Sequence, residues 1–311
     1  MNRESYSAGV KAYLCRKTAY EVGLGKTPPD SMVKKCDKCC ALAFFYGVTL
    51  FSRRLSRETM TLSIDNEELL EICTYIMIHH FLAKPDVRQT ERGGKVKFEV
   101  SFGRDLVGHE LSYMLDDEEK DFSFACVCER CPEFFVRGAF LSAGTLSDPS
   151  LDYRVEFLLK DMSGARALSD FLGEAFSPKT VKRKSDFVVY VKGNERTEEL
   201  CTAMGAQKAA LDIITASIEK QTMNELNRSC NCEAANMRKT VNASVQLRLA
   251  IQKLRDEGRF DMLPDDLKET ALLREQHPDA SLSELSRMTE GALTRSGINH
   301  RLKKIIELAE E

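Results

Sequence analysis

The sequence predicts an α+β domain built from a duplicated unit, followed by an all-α domain that ends in a helix-turn-helix. Three observations carry this reading. A shift of 91 residues lays Cys40, Phe44 and Gly47 on Cys131, Phe135 and Gly138, each set inside an apolar helical run. Strand signals disappear after residue 207, and the C-terminal end holds short helices punctuated by capping residues and a glycine turn.

Taken in order, residues 1–35 read as an N-terminal helical extension. Residues 36–206 carry the duplication, as repeats over about 36–115 and 126–206. Each repeat opens with an apolar helix through its glycine and continues into a strand, Met60–Ile64 in the first and Tyr153–Leu159 in the second. An amphipathic helix follows, Asn66–Leu82 or Gly164–Phe176, and then a hairpin. In the first repeat Val87–Thr90 and Val96–Phe102 flank Gly93-Gly94. In the second Thr180–Lys184 and Phe187–Lys192 flank Ser185-Asp186. Residues 207–258 read as a helical linker, with a hinge expected where Asn, Ser and Cys crowd between Asn224 and Asn231. Residues 259–311 form the terminal unit.

Composition bounds the function. A chain of 311 residues, 43% hydrophobic and 30% charged, has the make-up of a soluble globular protein of two or three domains. No window approaches the roughly 18 uninterrupted apolar residues of a membrane span, and Met1–Tyr20 has no apolar signal core, so the expected location is the cytoplasm, on the nucleoid. The net charge of −3 is unevenly spread. Acids dominate residues 110–121, whereas Arg228, Arg238, Lys239, Arg248, Lys253 and Arg255 form a later basic stretch. Eleven cysteines, an odd number without a secretion signal, read as reduced thiols.

The terminal unit resolves into three helices. Asp265–Gln276 is closed by His277-Pro278. Leu282–Thr289 has Ser281 as N-cap and Glu284 completing a capping box. Gly297–Ala309 is expected to be capped by Ser296. The short loop Glu290–Thr294 between the last two gives helix-turn-helix spacing. On the third helix Ile298, Leu302, Ile305 and Leu308 fall on one face, which leaves Arg295, Asn299, His300, Arg301, Lys303 and Lys304 for the other. Asn and Arg can pair bidentately with adenine and guanine edges, and the missing side chain at Gly297 admits a close phosphate. The plainer reading is a three-helix unit whose basic surface is only solvated.

The run Leu293-Thr-Arg-Ser-Gly-Ile-Asn-His-Arg-Leu-Lys-Lys-Ile305 resembles the end of the WhiA-type sporulation transcription regulators of Gram-positive bacteria. Residues Asn224–Thr240 resemble that family's linker helix, Phe135–Pro149 its second repeat helix, and Ser5–Lys11 its opening. The resemblance implies a pseudo-twofold domain similar to LAGLIDADG homing endonucleases, with helices on a curved antiparallel sheet, joined to a helix-turn-helix similar to region 4 of sigma factors. It also implies roles in cell division, chromosome organisation or sporulation genes. With Gly47 and Gly138 as the motif's first glycine, the metal-holding acids of an active endonuclease fall at Ser52 and Ala143, neither of which is a carboxylate. The nearest acids, Glu58, Asp148 and Asp152, lie beyond the helix ends, so no catalytic residue is expected.

Cys36-x-x-Cys39 and Cys128-x-x-Cys131 together have the spacing of a zinc tetrad, but each abuts an apolar repeat helix where packing accounts for it. Cys230 and Cys232 are expected to be buried, and His79-His80 to split into one surface and one core residue. No metal and no cofactor are assigned. The leading expectation is a DNA-binding transcription regulator, not an enzyme, that reads an operator in double-stranded DNA through Ser281, Arg295, Ser296, Gly297, Asn299, His300, Arg301, Lys303 and Lys304, with Arg228, Arg238 and Lys239 as basic contacts from the linker. The rival is an adaptor whose nuclease-like saddle docks another transcription regulator or RNA polymerase and whose helix-turn-helix binds DNA weakly.

Overall fold

A computed structural model of the chain describes residues 5–31, 33–55, 59–92, 95–103 and 126–311. The expectations placed on Glu58, on Gly93-Gly94, on the acidic segment 110–121 and on the end of the first repeat lie outside those residues. The chain forms two compact units, one through Glu219 and one from Lys220.

The first unit is a duplicated helix–strand–strand–helix–hairpin. Helix α1 (Tyr6–Val22) precedes it, capped by the Ser5 hydroxyl. The first copy contains α2 (Lys38–Ser52), β1 (Arg53–Leu55), β2 (Thr59–Ile64), α3 (Glu67–His80), β3 (Asp86–Arg92) and β4 (Lys95–Gly103). The second contains α4 (Cys131–Ala143), β5 (Gly144–Leu146), β6 (Arg154–Leu159), α5 (Met162–Phe176), β7 (Lys179–Arg183) and β8 (Asp186–Lys192). Each copy makes a four-stranded antiparallel sheet, ordered β1-β2-β4-β3 and β5-β6-β8-β7. The shared strand order is the structural form of the sequence shift. The short strands β1 and β5, too brief to show an alternating pattern, were not expected.

Helices α2 and α4 pack face to face through their equivalent glycines. A Cβ on Gly47 would stand 2.1 Å from the Phe135 carbonyl oxygen, and one on Gly138 would stand 2.2 Å from that of Phe44. Only glycine lets the two backbones come this close. Phe44, Phe45, Phe134, Phe135 and Phe140 around the crossing are fully buried.

The fully buried Arg137 of α4 ties this core to its surroundings. Its guanidinium pairs with Glu21 of α1 and Glu133, and donates to the Met204 carbonyl at 2.8 Å and the Thr18 hydroxyl at 3.3 Å. Lys17 joins from α1, donating to the Gly205 carbonyl at 3.0 Å. Met204 and Gly205 follow α6 (Asn194–Ala203), a helix the sequence reading missed.

Helix α7 (Gln207–Asp256) is continuous, so the hinge expected between Asn224 and Asn231 is not there. The stretch has no glycine or proline, and Asn, Ser and Cys each cost well under about 1 kcal/mol in a helix. Residues 221–239 are exposed around the whole circumference, Cys230 and Cys232 included, which corrects their expected burial. A stretch of helix exposed around its whole circumference gives its thiols no interior to enter.

Beyond a single 3₁₀ turn (Phe260–Met262), the second unit holds α8 (Asp265–Gln276), α9 (Leu282–Met288) and α10 (Arg295–Glu310). Their core joins Leu247, Ile251 and Leu254 of α7 to Leu263, Leu267, Ala271, Leu285, Ile298, Leu302, Ile305 and Ala309. Among the described residues no helix is long and apolar enough to cross a membrane.

Candidate nucleic-acid interface

The α9–turn–α10 segment is fixed by local chemistry before any long-range contact. Ser281 and Glu284 form the expected capping box: the hydroxyl accepts from the Glu284 amide at 3.3 Å, and the carboxylate accepts from the Ser281 amide at 2.7 Å. That contact holds the Glu284 carboxyl below its usual range. The turn places Glu290 and Gly291 at φ 49° and 86°. Hydroxyls lock it, since Ser286 donates to the Leu293 carbonyl at 2.6 Å and Thr289 accepts from the Leu293 amide at 3.2 Å. Helix α10 starts two residues earlier than expected. Thr294, and not Ser296, is its N-cap, accepting from the Gly297 amide at 3.1 Å, because Thr294 is the last residue in extended backbone.

Buried Ile298, Leu302, Ile305 and Ala309 hold α10 on the core at helical spacing, with Leu308 half-buried beside them. The opposite face exposes Arg295, Ser296, Asn299, His300, Lys303 and Lys304, which recur four residues apart in two parallel rows. No acid lies between Arg295 and Lys304, and the positive end of the helix dipole adds to the same field. Gly297 sits half-buried in the first turn, and Ser281 is spent on the cap of α9.

Arg301 departs from expectation. Its guanidinium turns onto α8, 3.4 Å from the Asp266 carboxylate and within 3.3 and 3.4 Å of the Asp266 carbonyl and the Thr270 hydroxyl. Helical periodicity puts residue 301 beside the apolar stripe, so its long side chain reaches the neighbouring helix first. Two basic residues of the α7 end are likewise taken: Lys253 donates to the Ala309 carbonyl at 2.5 Å, closing the C-terminus of α10, and Arg255 pairs with Glu275 at 2.8 Å. Arg228, Arg238 and Lys239 stay exposed on α7, with Arg228 and Lys239 on one face because eleven residues make about three turns.

Sequence reasoning missed Arg274. Its guanidinium is largely buried and donates to the carbonyls of His277, Pro278 and Ala280, fixing the bend from α8 into α9. Arginine at the end of an amphipathic helix reads as surface charge, and nothing local marks it as a loop anchor.

In the first unit, residues 52 and 143, which would carry a nuclease's acids, end α2 and α4 as serine and alanine. At the opposite ends of the same helices four thiols converge, those of Cys39, Cys40, Cys128 and Cys131. This differs from the tetrad read from the spacing, because Cys36 lies outside the group and Cys40 takes its place. Cys40 faces inward from the first turn of α2, whereas Cys36 precedes the helix and its amide bonds the Glu21 carbonyl. Burial pushes the Cys128 thiol up, but donors from the Arg130 backbone and the neighbouring thiols outweigh it and bring it to about 7. His79 is exposed and His80 half-buried, its Nε2 without a hydrogen-bond partner among the described residues.

Comparison with known proteins agrees across both units. Residues 132–223 match the WhiA LAGLIDADG-like domain and residues 226–309 the WhiA C-terminal HTH domain. A Clostridium novyi protein named "Probable cell division protein WhiA" is 38% identical over 99% of this chain and 98% of its own length. The protein of that name from Ruminiclostridium cellulolyticum is 32% identical over 98% and 97%. The crystal structure of full-length DUF199/WhiA from Thermotoga maritima shares the fold, with TM-score 0.57 at 19% identity over 99% of this chain and 98% of that one. Identity of this level over whole chains, with matches to both domains, shows that the chain belongs to the WhiA family.

Proposed function

We propose that this chain is a sequence-specific DNA-binding transcription regulator of cell division, chromosome organisation or sporulation genes, acting in the cytoplasm on the nucleoid. The observation that carries the reading is the exposed face of α10 between Arg295 and Lys304, which holds no acid and sets a side chain suited to adenine (Asn299) between cations suited to phosphate. In this proposal residues 259–311 are the reading unit and residues 207–258 the linker. Arg295, Ser296, Asn299 and His300 enter the major groove, the backbone at Gly297, which has no side chain, admits a close phosphate, and Lys303 and Lys304 grip the DNA backbone where the helix leaves. Arg228, Arg238 and Lys239 add backbone contacts. Arg301 acts through α8 as a positioning residue. The duplicated unit does not cut DNA, since Ser52 and Ala143 offer no carboxylate for a metal.

The rival remains an adaptor whose nuclease-like saddle docks another regulator or RNA polymerase, and the exposed Met223, Leu226 and Met237 of α7 add a further apolar surface suited to a protein partner. One experiment separates the two. Affinity for operator and for random DNA is measured for Asn299→Ala and Lys304→Ala across a salt series. The regulator reading expects Asn299→Ala to lose about 1–3 kcal/mol on the operator alone. It expects Lys304→Ala to weaken both DNAs and to lower the salt slope by about one. Equal losses on both DNAs from both variants would leave α10 an electrostatic anchor and move recognition to a partner.

A further inference from the structure

We propose that Cys39, Cys40, Cys128 and Cys131 bind one structural zinc ion that clamps the two repeats together. Their sulfur atoms all lie within 4.8 Å of one another. Cys128 Sγ stands 3.7 Å from Cys39 Sγ and 3.5 Å from those of Cys40 and Cys131. A tetrahedron with zinc–sulfur bonds of about 2.3 Å has edges of about 3.8 Å, so these separations are those of thiolates around a single ion. Disulfides, at about 2.05 Å, are excluded for every pair given. An iron–sulfur cluster would spread its cysteines over several iron atoms and hold opposing sulfurs farther apart.

Packing alone does not account for the arrangement. Cys15, Cys73 and Cys201 are buried in the same core without joining such a cluster, and among the described residues no other group of three or more potential metal ligands converges. Here two half-sites of different build converge: adjacent cysteines in the first turn of α2, and a C-x-x-C knuckle that enters α4. The Cys128 amide donates to Cys131 Sγ at 3.4 Å, the kind of outer contact that orients a metal thiolate. Both helices also present their positive N-terminal ends to a centre that carries negative charge once zinc binding displaces the thiol protons to solvent.

The site is closed. Four protein sulfurs fill the tetrahedron and leave no position for water or substrate, so the ion is structural and not hydrolytic. It joins residues 39 and 40 of one repeat to 128 and 131 of the other. It also lies at the opposite ends of α2 and α4 from positions 52 and 143, where a nuclease would hold its metals.

The test uses the full chain purified without chelator. We expect about one zinc per chain, and exchange with Co²⁺ should give the absorption of tetrahedral four-thiolate cobalt. Cys39→Ser and Cys128→Ser should each reduce the zinc content to under about a tenth per chain, whereas Cys36→Ser, outside the cluster, keeps it. In the unmutated chain, which avoids any folding defect of the variants, stripping with a chelator should lower the melting temperature and Zn²⁺ alone should restore it. The proposal is overturned if the chain carries no zinc and added Zn²⁺ changes neither melting nor thiol reactivity. It is equally overturned by an iron–sulfur chromophore, or by zinc that survives both Cys39→Ser and Cys128→Ser.

Discussion

Replacing Gly47 by alanine tests the helix crossing on which the duplicated unit depends. The new Cβ would stand 2.1 Å from the Phe135 carbonyl oxygen and 2.9 Å from the Ala139 amide, both backbone atoms that cannot rotate away. Ordinary contact begins at 3.4 Å, so α2 and α4 must part by roughly 1 Å at the crossing. A gap of about that size forfeits about a quarter to a half of the dispersion contact across it. The four fully buried phenylalanines Phe44, Phe45, Phe134 and Phe135 are worth about 1.5–3 kcal/mol each. Losing a third of that costs about 3 kcal/mol, against which alanine returns about 1 kcal/mol of helix propensity. A net loss of about 2 kcal/mol corresponds to a drop of roughly 4–8 °C for a unit of this size. Gly9→Ala at an exposed position of α1 is the control: nothing lies within 4 Å of its Cβ, so the same change should stabilise by about 0.5–1 kcal/mol. Thermal and urea denaturation of the two variants beside the parent protein measure both. A Gly47→Ala protein as stable as Gly9→Ala would refute the close crossing of α2 and α4.

Arg137→Ala should destabilise the first unit by about 3 kcal/mol, because it leaves the buried Glu21 carboxylate with only the partly exposed Arg130 at 3.4 Å; urea unfolding midpoints check this, and a loss under about 1 kcal/mol would show the network to be solvated. Burial, with Lys38 and His79 nearby, holds the His80 imidazole below its usual value, so the unfolded chain binds the extra proton more readily. Stability should therefore fall as pH drops through about 6.5, and melting curves should show a smaller fall in His80→Gln. Arg301→Ala should lower the melting temperature of the second unit while leaving operator preference intact, the reverse of Asn299→Ala; a change of base preference at constant stability would return Arg301 to the groove. Purified protein supplied with Mg²⁺ or Mn²⁺ should leave bound DNA uncut, and cleavage abolished by Asp148→Asn or Asp152→Asn would give the first unit a nuclease role.

What the sequence determined by itself was whatever depends on short-range chemistry and periodicity. Cys40, Phe44 and Gly47 against Cys131, Phe135 and Gly138 exposed the duplication, and both copies fold with one strand order. The Ser281–Glu284 box set the start of α9, and Ile298, Leu302 and Ile305 placed the buried face of α10. These features span a few turns at most, so their energies are written in neighbouring residues. The tertiary structure alone decided where side chains of similar local pattern spend their bonds. Arg301 reads as a DNA contact and Arg274 carries no signal of its own, yet they are claimed by α8 and by a loop, since a long side chain binds the nearest acceptor in space. Cys230 and Cys232 read as buried but lie on a fully exposed stretch of α7, and Cys40 displaced Cys36 from the thiol cluster because helix phase sets which sulfur faces inward. The approach of residues 39 and 40 to 128 and 131 joins points nearly ninety positions apart, a closure that only the packing of α2 on α4 through two glycines could specify.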